Sequence, residues 1–197
     1  MIKFFNLWDI KDIKVTDPGL KPYITLTPIL VPKTGGRNIK QKFHKSKTSI
    51  IERLINKLMV PGHKGKKHKL TSYHLTGKKT NAYKIVLKTF KIIEQKTNQN
   101  PIKIFIKALE NAAPREEITT IEYGGARYPQ AVECGPQRRI DIALRMMTQG
   151  AYQKSFNKKI KIEQALANEI LKAYNLDKES NAIAKKLELE RQADASR

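Results

Sequence analysis

The side chains best suited to chemistry in this sequence are four histidines, one cysteine and a long run of lysines. His44, His63, His68 and His74 all fall within residues 33–93, where 17 Lys and Arg face a single acid, Glu52. A metal cation entering such surroundings would be repelled by the neighbouring ammonium groups, so contact with phosphate or base suits these imidazoles better. Cys134 is the only cysteine. It excludes an internal disulfide and a Cys-based zinc site, agrees with a reducing compartment, and has no nearby histidine to activate it. It reads as a small half-buried strand residue. TGKKT at 76–80 approaches a phosphate-binding loop, but that pattern needs Gly at Ser72 and Ser or Thr at Lys79. TGGR at 34–37 fits a backbone nest for phosphate and fits a plain turn equally well. No HExxH, paired-carboxylate or Ser-His-Asp spacing is present, so no enzyme and no cofactor are expected.

The charge around these residues points to their partner. The 197 residues hold 39 Lys and Arg against 18 Asp and Glu, a formal charge of +21. Residues 61–93 carry nine Lys and no acid, whereas 115–139 balance four Arg against Glu116, Glu117, Glu122 and Glu133. Solvated helix faces interleave acids at i,i+4 spacing, and here acids are missing, so a polyanion is the expected partner. An anionic membrane would need a long apolar span or a basic amphipathic helix with aromatic anchors, and the sequence has neither. In the opening MIKFFNLWDIKDIKV, Asp9, Lys11 and Asp12 interrupt any signal-type apolar stretch, so the product is expected to stay in the cytoplasm.

The elements that must position these residues follow from spacing. Residues 1–47 contain Pro18, Pro22, Pro28, Pro32 and Gly35-Gly36 with little periodicity, and read as an extended basic arm without a core of its own. Ser49 and Glu52 have capping-box spacing ahead of a helix carrying Ile51, Leu54, Ile55 and Leu58. A basic loop at 62–80 leads to a second helix with Ala82, Val86, Phe90 and Ile93, whose start would project Lys78 and Lys79 outward. Asn100-Pro101 opens a third helix, and Gly135-Pro136 opens a fourth with Ile140, Ala143, Leu144 and Met147 inward and Arg138, Arg145 and Gln149 as an exposed stripe. Ile162, Leu166, Ile170 and Ala173 mark a fifth helix, and Ile183 and Leu187 a sixth. Between the third and fourth, 118–134 has the residue types of a β-hairpin around Gly124-Gly125. The expected fold is mainly α: a six-helix bundle-like domain over 48–197 with one protruding β-hairpin, preceded by the arm.

The segments NPIKIFIKALENAAPREE at 100–117 and YGGARYPQAVECGPQRRIDIALR at 123–145 resemble the seventh universal protein family of the small ribosomal subunit. FHKSKTSIIERLINKLM at 43–59, NAYKIVLKTFKIIEQKT at 81–97 and AIAKKLELERQADASR at 182–197 resemble its archaeal and eukaryotic-type branch. The resemblance covers the chain from about residue 20 onward. It implies a structural protein of the small subunit in the cytoplasm that binds rRNA of the 3′ major (head) domain and helps nucleate head assembly. Implied partners are that rRNA, neighbouring head and platform ribosomal proteins, and the exit-site tRNA and mRNA. Implied rRNA-facing residues are Lys42, His44, Lys45 and Lys47, the loop with Lys64, Lys66, Lys67, Lys78 and Lys79, and Arg115, Arg138, Arg139 and Arg145. The hairpin tip, Gly124, Gly125, Ala126 and Arg127, would lie close to exit-site tRNA or mRNA. A different class of function, a free nucleic-acid-binding regulator with a recognition helix and a wing-like hairpin, predicts a compact recognition helix and dimerisation.

Overall fold

In the computed structural model, which describes residues 3–11, 13–62 and 77–197, the described residues form six α-helices and one two-stranded hairpin. The helices are α1 (Ile50–Leu58), α2 (Lys79–Thr97), α3 (Pro101–Ala112), α4 (Pro136–Ser155), α5 (Ile162–Tyr174) and α6 (Asn181–Asp194). Strands β1 (Glu116–Tyr123) and β2 (Ala126–Glu133) pair antiparallel, from Glu116 opposite Glu133 to Tyr123 opposite Ala126. Lys64, Lys66, Lys67, His63, His68 and His74 lie outside the described residues.

Local chemistry accounts for most boundaries. Asn98 adopts φ 52° and ends α2, as asparagine tolerates the left-handed conformation. Asn100 then caps α3, its side-chain oxygen accepting from the Ile102 N–H at 3.0 Å, with Pro101 pre-shaped for the first turn. At the hairpin tip Gly124 (φ 58°) and Gly125 (φ 82°) supply the two positive φ values that a two-residue hairpin turn needs. Cys134 follows β2 and is buried, its N–H donating to the Arg115 carbonyl at 2.8 Å. The TGGR segment closes as a turn, with the Arg37 N–H donating to the Thr34 carbonyl.

Helix α5 packs against α2, α3 and α4, and its buried Ala165, Ala167 and Ala173 allow close approach around Leu166 and Ile170. A Cβ added to Gly150 of α4 would stand 2.8 Å from Asn181 Cβ and 3.1 Å from Glu169 Oε1. Only a hydrogen fits that crossing. Glu169 is fully buried and accepts from Ser180 Oγ (2.9 Å), the Ala182 N–H (3.3 Å) and Lys154 Nζ (2.7 Å), placing a carboxylate at the N-terminus of α6.

The N-terminal residues enter this core. Phe4, Phe5, Trp8, Ile10, Leu20 and Ile24 are buried with the bundle's own side chains. Trp8 meets Phe90 edge-on at 5.8 Å, Phe5 meets Tyr83 at 5.0 Å, and Phe90 in turn meets Phe105 at 5.9 Å. Polar ties fasten the same stretch: Asn100 Nδ2 donates to the Asp9 carbonyl (2.7 Å), Arg139 pairs with Asp17 (2.7 Å), and the Ile50 N–H donates to the Thr25 carbonyl (3.1 Å). Beyond Leu26 the arm is mostly exposed up to Thr48.

Three expectations are corrected. Ser49 is the N-cap residue of α1, yet its hydroxyl makes no capping bond and is buried without a partner. Glu52 turns instead to the arm and α2, where an ammonium and two Thr34 donors offer charge-assisted bonds stronger than a backbone cap. Gln149 is 8% exposed, because the second half of α4 is enclosed by α5 and α6, so the polar stripe stops at Arg145. Leu187 is 42% exposed; α6 buries Ala182, Ile183 and Ala193.

Candidate nucleic-acid interface

The site begins with a short 3₁₀ turn, His44–Lys47, held against α1 and the start of α4. Thr25 Oγ1 donates to the Ser46 carbonyl at 2.6 Å, and Ser46 Oγ donates to Gln137 Oε1 at 2.7 Å. Beneath them the buried Arg53 donates to the Tyr23 carbonyl (3.2 Å) and to Asp141 Oδ1 (3.2 Å), while Lys45 bonds the other Asp141 oxygen. Burial pushes the Asp141 carboxyl up, but the Lys45 bond and the charges of Arg53, Lys45 and Lys57 outweigh it and leave its pKa below the usual value. Burial pushes the Lys57 ammonium down against the pull of Asp141, and the nearby charges of Arg145, Lys45 and Arg53 lower it further. One carboxylate thus serves three cations with a fourth close by. The surplus positive charge is a place for an anion.

A cleft of about 630 Å³ opens above this cluster, lined by Tyr23, Lys42, Phe43, Lys45, Gly135, Pro136, Gln137, Arg138, Asp141, Ile142 and Arg145. It brings together four of the residues singled out from the sequence: Lys42, Lys45, Arg138 and Arg145. Arg138 is also paired with Glu117 (Nε to Oε1 2.5 Å) and keeps most of its side chain exposed. Lys47 is exposed on the same turn, and His44 is half-buried with an unpartnered Nδ1. Lys78 is exposed at the start of α2. Lys79, expected to project outward, instead reaches inward to Glu52. Arg139 also points inward, donating to the Pro114 carbonyl (3.0 Å) and Asp17. Arg115 stands apart, in a cleft where Glu116, Glu190 and Asp194 offset it with Lys186 and Arg197.

Sequence reasoning passed over Tyr23, Phe43 and Gln137. For Phe43 a signal was present, since an aromatic residue inside the basic run Lys40 to Lys47 is a pattern of nucleic-acid contact. At the hairpin tip Gly124, Gly125, Ala126 and Arg127 are exposed, and Arg127 Nε lies 3.4 Å from Glu122. Ile121, Tyr123 and Tyr128, all exposed, share one face of the ribbon by register. Among the described residues no group of three His, Cys, Asp or Glu could hold a metal ion, and no helix is long and apolar enough to cross a membrane.

Residues 28–197 match the family model described as Ribosomal protein S7p/S5e. The chain belongs to this family. It is 59% identical to the small ribosomal subunit protein uS7 of Nanoarchaeum equitans over 196 residues, covering 100% of this chain and 99% of that protein. It is 49% identical to the uS7 of Methanothermobacter thermautotrophicus over 187 residues, 95% of each chain. Apart from Tyr23, every residue lining the cleft lies within the part matched to the S7p/S5e family, whereas Phe4, Phe5, Trp8, Leu20 and Ile24 precede it.

Proposed function

We propose that this chain is a structural constituent of the small ribosomal subunit, in the cytoplasm, that binds rRNA of the head domain and helps nucleate head assembly. The observation that carries the reading is the under-neutralised cluster around Asp141, which opens into a cleft walled by Lys42, Lys45, Arg138 and Arg145 on a member of the S7p/S5e family. Lys47 and Lys78 extend the basic surface, and the rRNA-facing residues proposed here also include Lys64, Lys66 and Lys67, which lie outside the described residues. Neighbouring head and platform proteins complete the surroundings of such a protein, and its hairpin would lie near exit-site tRNA and mRNA. Its role is binding, not catalysis.

A free regulator with a wing-like hairpin is less well supported. Its wing would meet phosphates, yet the ribbon carries Glu116, Glu117, Glu122 and Glu133 against Arg127 alone. Sucrose-gradient sedimentation tests the two readings. Co-migration with small subunits at high salt is expected, and recovery only as a free dimer would overturn the ribosomal reading. On rRNA, log K should fall with log salt at a slope of about −5 or steeper for roughly six to ten neutralised phosphates.

A further inference from the structure

Beside its cations the cleft has features that a site for phosphate alone would not need. Phe43 holds a left-handed backbone, φ 59°, as Phe5 and Leu176 also do, and the residue is 69% exposed. An apolar residue presented to solvent at the mouth of a basic cleft is placed to stack on a ligand. Gln137 lines the same cleft and is 7% exposed. Its Oε1 accepts from Ser46, and its Nε2 is buried with no partner. Exchanging the amide oxygen and nitrogen only changes which atom is orphaned, so the carboxamide keeps one unfilled edge either way. That nitrogen is sealed from solvent in this rotamer, so a ligand reaches it only when the side chain turns into the cleft; until then the buried amide stays unfilled at a cost.

We propose that the cleft holds one unstacked nucleotide of the rRNA, its base stacked on Phe43 and hydrogen-bonded to the Gln137 carboxamide, its phosphate between Lys42, Arg138 and Arg145. This rests on the rRNA-binding reading above and adds base recognition to it. Sequence-specific contact with RNA goes through unpaired bases splayed out onto aromatic rings, because side chains cannot reach base edges in the A-form major groove. The volume of the cleft falls within the ~300–1,000 Å³ of small-ligand sites. The acid in its wall, Asp141, is neutralised by Lys45 and Arg53 and so does not repel a phosphate.

The test uses the full chain and a transcript of the 3′ domain of small-subunit rRNA. Phe43→Ala and Gln137→Leu should each weaken binding on the order of tenfold with the salt slope unchanged, since neither side chain is charged. Lys42→Gln should reduce the slope by about 0.7–0.9. In NMR titrations the Gln137 side-chain amide should shift with nucleoside monophosphates and not with inorganic phosphate. Wild-type affinity in both Phe43→Ala and Gln137→Leu, or an equal shift with inorganic phosphate, would overturn the base site and leave rRNA binding standing. A wild-type chain that ignores the transcript while its Gln137 amide still answers nucleotides would sink the rRNA reading and support the base site.

Discussion

Lys79 Nζ lies 2.6 Å from Glu52 Oε1, so the one acid of residues 33–93 fastens the start of α2 to α1, and the same oxygen receives the Thr34 N–H at 2.8 Å. Glu52 is buried whereas Lys79 keeps some access to water. Removing the lysine should therefore harm more than its surface neighbour does, because it leaves a buried carboxylate with Thr34 alone. Lys79→Met should cost about 2–4 kcal/mol in urea unfolding. Lys78→Met should stay within about 0.5 kcal/mol of wild type.

The same lock gives stability a pH dependence. Burial pushes the Glu52 carboxyl up, but Lys79 and Thr34 prevail and hold its pKa below the ordinary value; Asp17, beside Arg139, and Asp141 are also held low against burial. Carboxylates with depressed native pKa values contribute fully above their unfolded values of about 3.9–4.3, and that contribution is lost as pH falls through the native values. The urea midpoint should drop as pH falls below about 4.3, and the drop should be shallower in Glu52→Gln.

The N-terminal region should divide in protease digestion. Residues 3–11 and 13–26 are pinned by Phe4, Trp8, Leu20 and their hydrogen bonds, whereas the stretch that follows, up to residue 47, is mostly exposed. Limited proteolysis of the free protein should cut between 27 and 47 and leave the N-terminal fragment attached, with the fluorescence of Trp8 still that of a buried indole. Trp8→Ala should destabilise by about 3–5 kcal/mol.

Gly150 marks the closest helix crossing. Gly150→Ala would normally favour a helix, but here the new methyl meets Asn181 and the Glu169 carboxylate. A loss of about 1–3 kcal/mol in thermal unfolding is expected instead.

Shortening residues 123–128 to a minimal turn removes exposed side chains only and should leave folding and rRNA affinity near wild type. In assembled subunits it should weaken retention of exit-site tRNA or reading-frame fidelity. Tyr123→Ala with Tyr128→Ala should reproduce much of that effect through lost stacking on the ribbon face, at roughly 1–3 kcal/mol per base stacked.

The helices and the hairpin were legible in the sequence because their signals are local: an Asn-Pro start, a Gly-Gly turn, a 3.6-residue stripe. The misreadings share a cause. Ser49 and Glu52 have capping-box spacing, but spacing does not reveal that Thr34 and Lys79 arrive from elsewhere and compete for the carboxylate. Gln149 continues the stripe of Arg138 and Arg145 in projection, yet α5 and α6 cover that end of α4. At the candidate site, lysine and arginine density located the basic surface. It could not separate Lys42 and Arg145, which face the cleft, from Lys79 and Arg139, which are paired inward, because composition carries no direction.

The aromatic cluster has a consequence for how the chain comes to be folded. Phe5 and Trp8 are made well before their partner Phe90, and Phe105, which packs on Phe90, comes later still. At typical rates of ~5–20 residues per second, Trp8 waits on the order of ten seconds for Phe90. Through that interval the nascent chain carries an oily, unsatisfied segment followed by a strongly cationic stretch. The core cannot close until α2 and α3 have emerged, so folding of this protein is timed by its own synthesis, and the segment with Phe5 and Trp8 needs shelter while it waits.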